Sequence, residues 1–261
     1  MISVMVYGRN DSHGYNLHKR AALSLNCLAE ILSASDDEIL FVDWNTPDDL
    51  PTFPEAIHDT LTAKARERLR IIRVRPSIHA RYRGQTTLQT IDPVARNVAL
   101  RRSNPRNRWI LATNTDMIIV PLAASSLTDI AAGLPSGFYG LPRFEVPEGL
   151  WEGFDRNDPR GAMAAARQWG AAAHLDLVVY GNDVIGYDGP GDFQLVERRD
   201  ALAIHGFDER MTLGWHMDSN LFKRLTLLRG SIRSLAQQAA GYHCDHTRVA
   251  ALIHGIDVAA T

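Results

Sequence analysis

The segment of residues 109–120, with the sequence WILATNTDMIIV, constrains the fold more than any other part of the chain. Its apolar flanks predict a buried strand, but a polar run from Thr113 to Asp116 interrupts them. An unpaired polar group in a protein interior costs about 1–3 kcal/mol, so we expect the strand to deliver these residues to a cleft. In open α/β sheets, ligand clefts lie at the carboxyl ends of the strands. The alternative interpretation is a strand end followed by a polar turn.

Within this run, one residue separates Asn114 from Asp116. Successive side chains of a strand point to opposite faces, so these two are predicted to project to the same face. An amide oxygen and a carboxylate together suit a hard divalent cation, which prefers oxygen ligands. The pattern therefore indicates a candidate metal site.

Apolar periodicity places strands and helices in alternation along the chain. It predicts strands at residues 2–7, 39–42 and 70–74, and helices at about 16–33, 54–67, 126–132 and 162–172. Asp92-Pro93 is a helix-start signature, with the aspartate as N-cap. This alternation favours a parallel sheet with helices on both faces. The segment 141–188 is the least regular, which is typical of a substrate loop.

Composition narrows the class of protein. The chain has 261 residues and a net charge of −2, which gives no electrostatic argument for nucleic acid as a partner. No apolar run approaches the roughly 20 residues of a transmembrane span. Cys27 and Cys244 do not form a disulfide framework, which fits a reducing cytoplasm.

The length suits one large α/β domain over residues 1–261. Met1 leads directly into a predicted strand, so we expect no signal peptide. Residues 256–261 look like an unfinished end, so a piece cut from a longer protein is the alternative.

A carboxylate, Asp218, stands at the start of a late helix. This helix is predicted to end at Gly230 and to bury the stripe of Leu221, Phe222, Leu225 and Leu228. Aspartate at a helix start is most often an N-cap. The functional alternative is a general base.

Two further places carry residues that suit chemistry. His243 and His246 lie close together near the end of the chain, and imidazole binds transition metals well. The alternative is a loop with solvated histidines, because no cysteine or further histidine completes a zinc signature. Asp43 ends the second predicted strand, where a carboxylate can also be a simple strand-end residue.

A series of short motifs spans nearly the whole chain. They are, in order, VYGRND, FVDWNTP, ARNVALRR, NTD, GDFQLVERRDALAIHGFDE, GWHMDSNLFKRL and GYHCDH. In this order, over residues 2–246, they resemble the motifs of inverting GT-A glycosyltransferases of the family-2 type. That family includes chondroitin-polymerase-like and β-1,4-galactosyltransferase-like domains.

The resemblance implies an α/β protein with the GT-A (Rossmann-like) fold, a mixed, mostly parallel sheet flanked by helices. It implies a nucleotide-binding half at about residues 1–120 and an acceptor-binding half at about 121–261. The implied activity is transfer of a hexose or N-acetylhexosamine, with inversion, from a nucleotide sugar, chiefly a UDP-sugar, to a hydroxyl of a saccharide or glycolipid. The implied setting is polysaccharide biosynthesis in the cytoplasm, including peripheral contact with the inner face of the membrane.

The resemblance also implies roles for individual residues. Asp218 is the implied catalytic base, and the implied ligands of Mn²⁺ or Mg²⁺ are Asp116 and His243, with His246 as the substitute for His243. The implied donor-binding residues are Tyr7, Arg9, Asp43, Arg96, Asn114 and Asp116. Asp43 would read a uracil base and Arg96 would steady the phosphates. The implied acceptor-binding residues are Asp192, Trp215 and His216.

Two positions depart from the family pattern. Asn114 stands at the first aspartate of the D-x-D metal motif, and Met217 stands where a glutamate precedes the base in many relatives. These departures keep open a nucleotide-sugar-binding domain without turnover. A nucleotidyltransferase would need a glycine-rich, lysine-bearing loop after the first strand, and residues 8–12 are too poor in glycine for that.

Overall fold

Two β-sheets organise the chain, and residues 109–120 pass from one to the other. The computed structural model describes residues 1–11, 16–172, 191–214 and 216–246. Its strands are β1 (Ile2–Gly8), β2 (Glu38–Trp44), β3 (Leu69–Val74), β4 (Trp109–Thr113), β5 (Met117–Pro121), β6 (Phe138–Gly140), β7 (Arg143–Val146), β8 (Phe193–Glu197), β9 (Arg233–Ser234) and β10 (Ala239–Cys244). The larger sheet has the order β3-β2-β1-β4-β8-β6-β9, and the smaller sheet has the order β5-β10-β7.

The larger sheet is mixed and mostly parallel, which confirms the fold class predicted from the sequence. β1 pairs in parallel with β2 and β4, and β2 pairs in parallel with β3. β8 runs antiparallel to both β4 and β6. Because β1, β2 and β4 run in one direction, their carboxyl ends meet at the same edge of the sheet, where ligand clefts form in open α/β sheets.

Helices cover both faces of the larger sheet. They are α1 (Leu17–Ile31), α2 (Phe53–Ala56), α3 (Ala63–Arg68), α4 (Pro76–His79), α5 (Asp92–Arg102), α6 (Leu127–Gly133), α7 (Glu148–Trp151), α8 (Pro159–Ala172), α9 (Arg198–Ala203) and α10 (Met217–Arg229). Val4 packs in a core with α1, whereas its neighbour Met5 packs in a second core with α5 and α10. Alternate residues of β1 therefore feed two cores, as the period of two of a strand requires.

The prediction of one strand over residues 109–120 is wrong in one respect. β4 ends at Thr113 and lies between β1 and β8 in the larger sheet, whereas β5 begins at Met117 and pairs with β10 in the smaller sheet. Asn114, Thr115 and Asp116 form the connection. The polar run thus interrupts the apolar pattern at the point where the chain passes from one sheet to the other.

The predicted helix at 54–67 is broken into two. Thr52 and Glu55 form a capping box that starts α2, and a 3-10 turn at His58–Thr60 follows it. Thr62 then starts α3, where its hydroxyl accepts from the backbone N–H of Ala65. A second N-terminal cap inside an apolar pattern is a start signal that the periodicity alone does not reveal.

The predicted end of the late helix agrees with the structure, whereas the predicted burial of one of its residues does not. α10 ends at Arg229 with Gly230 as its C-cap at a φ of 85°, but Leu228, predicted to be buried, is 43% exposed. The described part of the segment 141–188 contains β7, α7 and α8, and residues 173–190 lie outside the described residues. Within the described ranges, no helix has both the length and the apolar character needed to cross a membrane.

Candidate functional site

The predicted metal ligands lie where β5 meets β10. The two strands pair antiparallel with His243 opposite Met117, so Asp116 comes beside the end of β10. The backbone N–H of Cys244 donates to the carbonyl of Asp116 at 2.9 Å. The strand register therefore brings Asp116 and His243 together, and His246 follows two residues beyond the end of β10.

These three side chains fit a divalent metal ion. Nε2 of His243 and Nε2 of His246 lie 3.5 and 3.4 Å from Asp116 Oδ2, and one ligand atom of each residue lies within 4.8 Å of the others. Two atoms that bind one ion at about 2.1 Å each lie no more than about 4.2 Å apart, so either histidine can share an ion with Asp116. Among the described residues, the buried Oδ1 of Asp116 has no hydrogen-bond partner. A spare carboxylate oxygen beside two imidazoles is consistent with a metal ligand set.

A buried arginine that the sequence analysis missed also contacts this cluster. Arg20, in α1, is 1% exposed, and its Nη1 lies 2.8 Å from Asp116 Oδ2. A buried cation is costly unless it is paired, so Arg20 and Asp116 stabilise each other's charged forms. The signal in the sequence is a charged residue directly before the apolar pair Ala21 and Ala22 of the predicted helix.

The cluster strongly shifts the ionisation of its members. Burial raises the pKa of Asp116, but His243, His246 and Arg20 outweigh burial and hold this pKa well below its usual value. Burial lowers the pKa of His243, whereas Asp116 and Glu145 raise this pKa to about 10. Asp116 is therefore an ionised carboxylate, which is the form that binds a metal ion.

The side chain of Asn114 joins two charged residues. Arg96 Nη2 donates to Asn114 Oδ1 at 2.8 Å, and Asn114 Nδ2 donates to Asp192 Oδ1 at 2.5 Å. An arginine cannot accept a hydrogen bond and a carboxylate cannot donate one, so the side chain between them must do both. An amide meets this requirement, whereas an ionised aspartate does not. This arrangement explains in physical terms why asparagine suits this position of the chain.

We therefore expect Asn114→Asp, which restores the D-x-D pattern, to be harmful. The new carboxylate would face the carboxylate of Asp192 and lose a partly buried hydrogen bond, which lowers the free energy of unfolding by about 1–3 kcal/mol. Adding Asp192→Asn should recover part of this loss, because the new amide at position 192 can donate a hydrogen bond to the new carboxylate at position 114. Urea denaturation of both single variants and the double variant measures the coupling free energy. An Asn114→Asp protein as stable as the wild type, with tighter Mn²⁺ binding, would contradict this interpretation.

A cleft of about 500 Å³ opens beside the metal cluster. Four of the predicted donor-binding residues line it, namely Tyr7, Arg9, Asn114 and Asp116. Arg96 lies behind Tyr7, with its guanidinium carbon 5.1 Å from the centre of the tyrosine ring. Pockets that bind small molecules typically measure about 300–1,000 Å³, so the cleft has a suitable size for a nucleotide.

Asp43 does not line this cleft. It is fully buried, and its Oδ1 accepts from the Thr46 hydroxyl at 2.7 Å and from the backbone N–H of Phe53 at 2.8 Å. Burial raises the pKa of Asp43. These contacts hold the loop between β2 and α2 in place, as expected for a simple strand-end carboxylate. A role of Asp43 in binding a uracil base stays a prediction.

Asp92, in contrast, lines the cleft. It is the first residue of α5 and not its N-cap, and its carboxylate hydrogen-bonds to the hydroxyl of Tyr7. Burial and the neighbouring Asp92 raise the pKa of Tyr7 well above its usual value. The sequence predicts Asp92 only as a helix-start residue, because its place in the cleft depends on contacts with the distant Tyr7.

Asp218 lies in the first turn of α10, next to the loop that carries Asp192. A Cβ atom on Gly191 would lie 2.2 Å from Asp218 Cγ, so the carboxylate lies directly against this glycine. Burial lowers the pKa of Arg96, but Tyr7 and Asp218 are among the groups that raise it, and the net shift is upward. Asp218 therefore lies within electrostatic reach of the Arg96 network.

The three predicted acceptor residues differ in exposure, and one of them lies outside the described residues. Asp192 is 3% exposed, and its Oδ2 accepts from Arg143 Nη1 at 2.6 Å. His216 is exposed and precedes α10 with a φ of 55°. Trp215 lies outside the described residues. The acceptor role of these residues stays a prediction.

Comparisons with solved structures give a consistent fold. The chain matches S. aureus TarS 1-349 in complex with UDP at 16% identity and a TM-score of 0.57, over 94% of this chain and 60% of that one. It matches GalNAc-T7 with UDP, GalNAc and Mn²⁺ at 8% identity and a TM-score of 0.58, over 96% of this chain and 44% of that one. The chain thus spans less than two thirds of the length of either match.

No protein-family model matches the sequence, and no curated protein matches it. At identities this low, structural likeness establishes the fold alone. The matched chains are GT-A glycosyltransferases, and the mixed, mostly parallel sheet flanked by helices matches their fold. The chain has the GT-A fold.

Proposed function

We propose that this chain is an inverting, metal-dependent glycosyltransferase domain that moves a sugar from a UDP-sugar to a hydroxyl of a saccharide or glycolipid. The observation that carries the proposal is the cluster of Asp116, His243 and His246 beside a cleft of nucleotide size. A metal site next to a nucleotide cleft suits a donor with a diphosphate leaving group. The UDP bound by TarS and GalNAc-T7 supports UDP as the nucleotide.

Each residue has a role in this proposal. A divalent ion on Asp116 and the two histidines would supply positive charge beside the departing diphosphate. The buried guanidinium of Arg96 adds positive charge behind Tyr7 and fixes the orientation of Asn114. Asp218 takes the proton of the acceptor hydroxyl from the side opposite the leaving group, which gives a single displacement and inversion.

The mixed ligand set also bears on the metal. Mg²⁺ prefers oxygen ligands and keeps several waters, whereas imidazole suits transition metals. Two histidines beside one carboxylate therefore favour Mn²⁺ over Mg²⁺. The assignment to the family-2 type, the polysaccharide pathway and the cytoplasmic location stay predictions.

Release of UDP tests the proposal against binding without turnover. The chain is incubated with Mn²⁺, a panel of UDP-sugars and mixed oligosaccharide acceptors, while binding of UDP is measured in parallel. We expect one donor to release UDP faster when an acceptor is present. Binding of UDP without release from any donor would favour a nucleotide-sugar-binding domain, the alternative that Met217 keeps open. Absence of UDP binding in Mn²⁺ would contradict both functions.

A further inference from the structure

A glutamate on a neighbouring strand contacts the histidine of the metal cluster. β7 and β10 run parallel, and their register sets Glu145 beside His243. Glu145 Oε2 lies 2.6 Å from His243 Nδ1. The other ring nitrogen, Nε2, faces Asp116 at 3.5 Å. The imidazole therefore lies between two carboxylates, one at each nitrogen.

The chemistry of the two nitrogens follows from this contact. Glu145 also contacts the guanidinium of Arg143, so its carboxylate lies beside a permanent positive charge that favours the ionised form. An ionised carboxylate can only accept a hydrogen bond, so Nδ1 must carry a proton. Nε2 is then the nitrogen that can give up its proton and bind a cation. Its direction, toward Asp116, is the direction that a shared metal ion requires.

Glu145 is itself held in place. Arg143 Nη2 contacts Glu145 Oε1, while Arg143 Nη1 lies 2.6 Å from Asp192 Oδ2. Arg143 is 14% exposed and Glu145 is 20% exposed, so water screens this contact only in part. The guanidinium fork thus fixes the carboxylate that fixes His243, and joins it to the Asn114 network through Asp192.

We propose that Glu145 is a positioning residue for His243, which orients the imidazole so that Nε2 binds the metal ion, and that Arg143 holds Glu145 in this role. Hydrogen-bond partners of metal-bound histidines set the ring orientation and raise ligand basicity, and their loss typically costs about 10–100-fold in metal affinity. The proposal rests on the proposed metal site. Two rival roles are a carboxylate that only stabilises the strand pair and a direct metal ligand, since Glu145, His243 and Asp245 also lie close enough to share an ion.

Mn²⁺ binding without nucleotide tests the proposal, measured by the paramagnetic resonance signal of free Mn²⁺. The variants are Glu145→Ala and Glu145→Gln, and the amide oxygen of the latter can still accept from Nδ1. We expect Glu145→Ala to weaken Mn²⁺ binding by about 10–100-fold and Glu145→Gln to restore much of the loss. The matched control is Glu67→Ala, at an exposed carboxylate of α3, which should bind as the wild type does.

Each other outcome has a distinct meaning. Unchanged Mn²⁺ affinity in a folded Glu145→Ala protein, with loss of binding in His243→Ala, overturns the positioning role and leaves the metal site standing. Equal and complete loss in Glu145→Ala, Glu145→Gln and Asp116→Ala makes Glu145 a direct ligand, which also overturns it. Absence of Mn²⁺ binding in the wild type refutes the metal site itself. If Glu145→Ala does not fold, Glu145→Leu, which cannot accept from Nδ1, and Arg143→Gln carry the test, and wild-type affinity in both overturns the proposal.

Discussion

Replacing Asp218 with asparagine is expected to slow sugar transfer by at least about a hundredfold, because loss of a general base typically costs about 10²–10⁴ in rate. Asp218 lies in the first turn of α10, where the helix dipole favours the ionised form that a base requires. Asparagine has nearly the same shape and caps helices about as well as aspartate. The melting temperature and the binding of UDP and Mn²⁺ should therefore stay close to wild type. Steady-state transfer rates and a melting curve measure the two effects separately.

The matched control is Asp129→Asn. Asp129 also lies in the first turn of a helix, α6, but it is exposed and bonds to Ser125 and Ser126. This variant should transfer sugar at the wild-type rate. If a folded Asp218→Asn protein keeps most of its transfer rate, Asp218 is a helix-start residue, and Asp192 or His216 becomes the candidate base.

Replacing Asp116 with asparagine is expected to abolish the effect of Mn²⁺ on nucleotide binding and to reduce transfer by at least about a hundredfold. Loss of a residue that only supports a ligand already costs about 10–100-fold in metal affinity, so loss of a direct ligand should cost no less. The amide keeps the size of the side chain but removes the charge that pairs with Arg20 and the histidines. Calorimetric titration of UDP in Mn²⁺ measures the change.

Folding must be separated from binding in this variant, because Asp116 pairs with a buried arginine. Breaking a buried ion pair destabilises a protein by about 3–5 kcal/mol. Arg20→Met serves as the comparison, since it breaks the same pair but keeps the carboxylate. Mn²⁺ binding that survives in Arg20→Met and disappears in Asp116→Asn assigns the metal to Asp116. Donor binding by Asp116→Asn at wild-type strength in Mn²⁺ would show that the metal lies elsewhere.

The sequence predicted those features that short-range patterns encode. The alternation of strands and helices predicts a mostly parallel sheet, because apolar periodicity indicates which face of each strand or helix is buried. The polar run before Met117 marked the cleft, because polar residues inside an apolar segment require a special place. The ligand chemistry of Asp116, His243 and His246 predicts metal binding, and the structure brings the three side chains together.

Other features depend on contacts between distant segments. Arg20 lies in a helix and Glu145 in a short strand, and no local pattern predicts which side chains these two residues contact. Glu145 gains its position from the register of β7 and β10, and Arg20 from the packing of α1 against β5, neither of which a local pattern contains. The turn that separates β4 from β5 also depends on distant contacts, because β4 pairs with β1 and β8 whereas β5 pairs with β10. Asp43 illustrates the reverse case, since a strand-end carboxylate can satisfy a loop as readily as a ligand.

Linked binding of UDP and Mn²⁺ to the wild-type chain tests the central claim most directly. Calorimetry is carried out with UDP in Mn²⁺, with UDP in EDTA, and with Mn²⁺ in saturating UDP. We expect Mn²⁺ to tighten UDP binding by at least about tenfold, and UDP to tighten Mn²⁺ binding by the same factor, because coupling between two ligands is reciprocal. Equal affinity for UDP in Mn²⁺ and in EDTA, or no binding of UDP at all, would contradict a metal-dependent nucleotide-sugar site in this cleft.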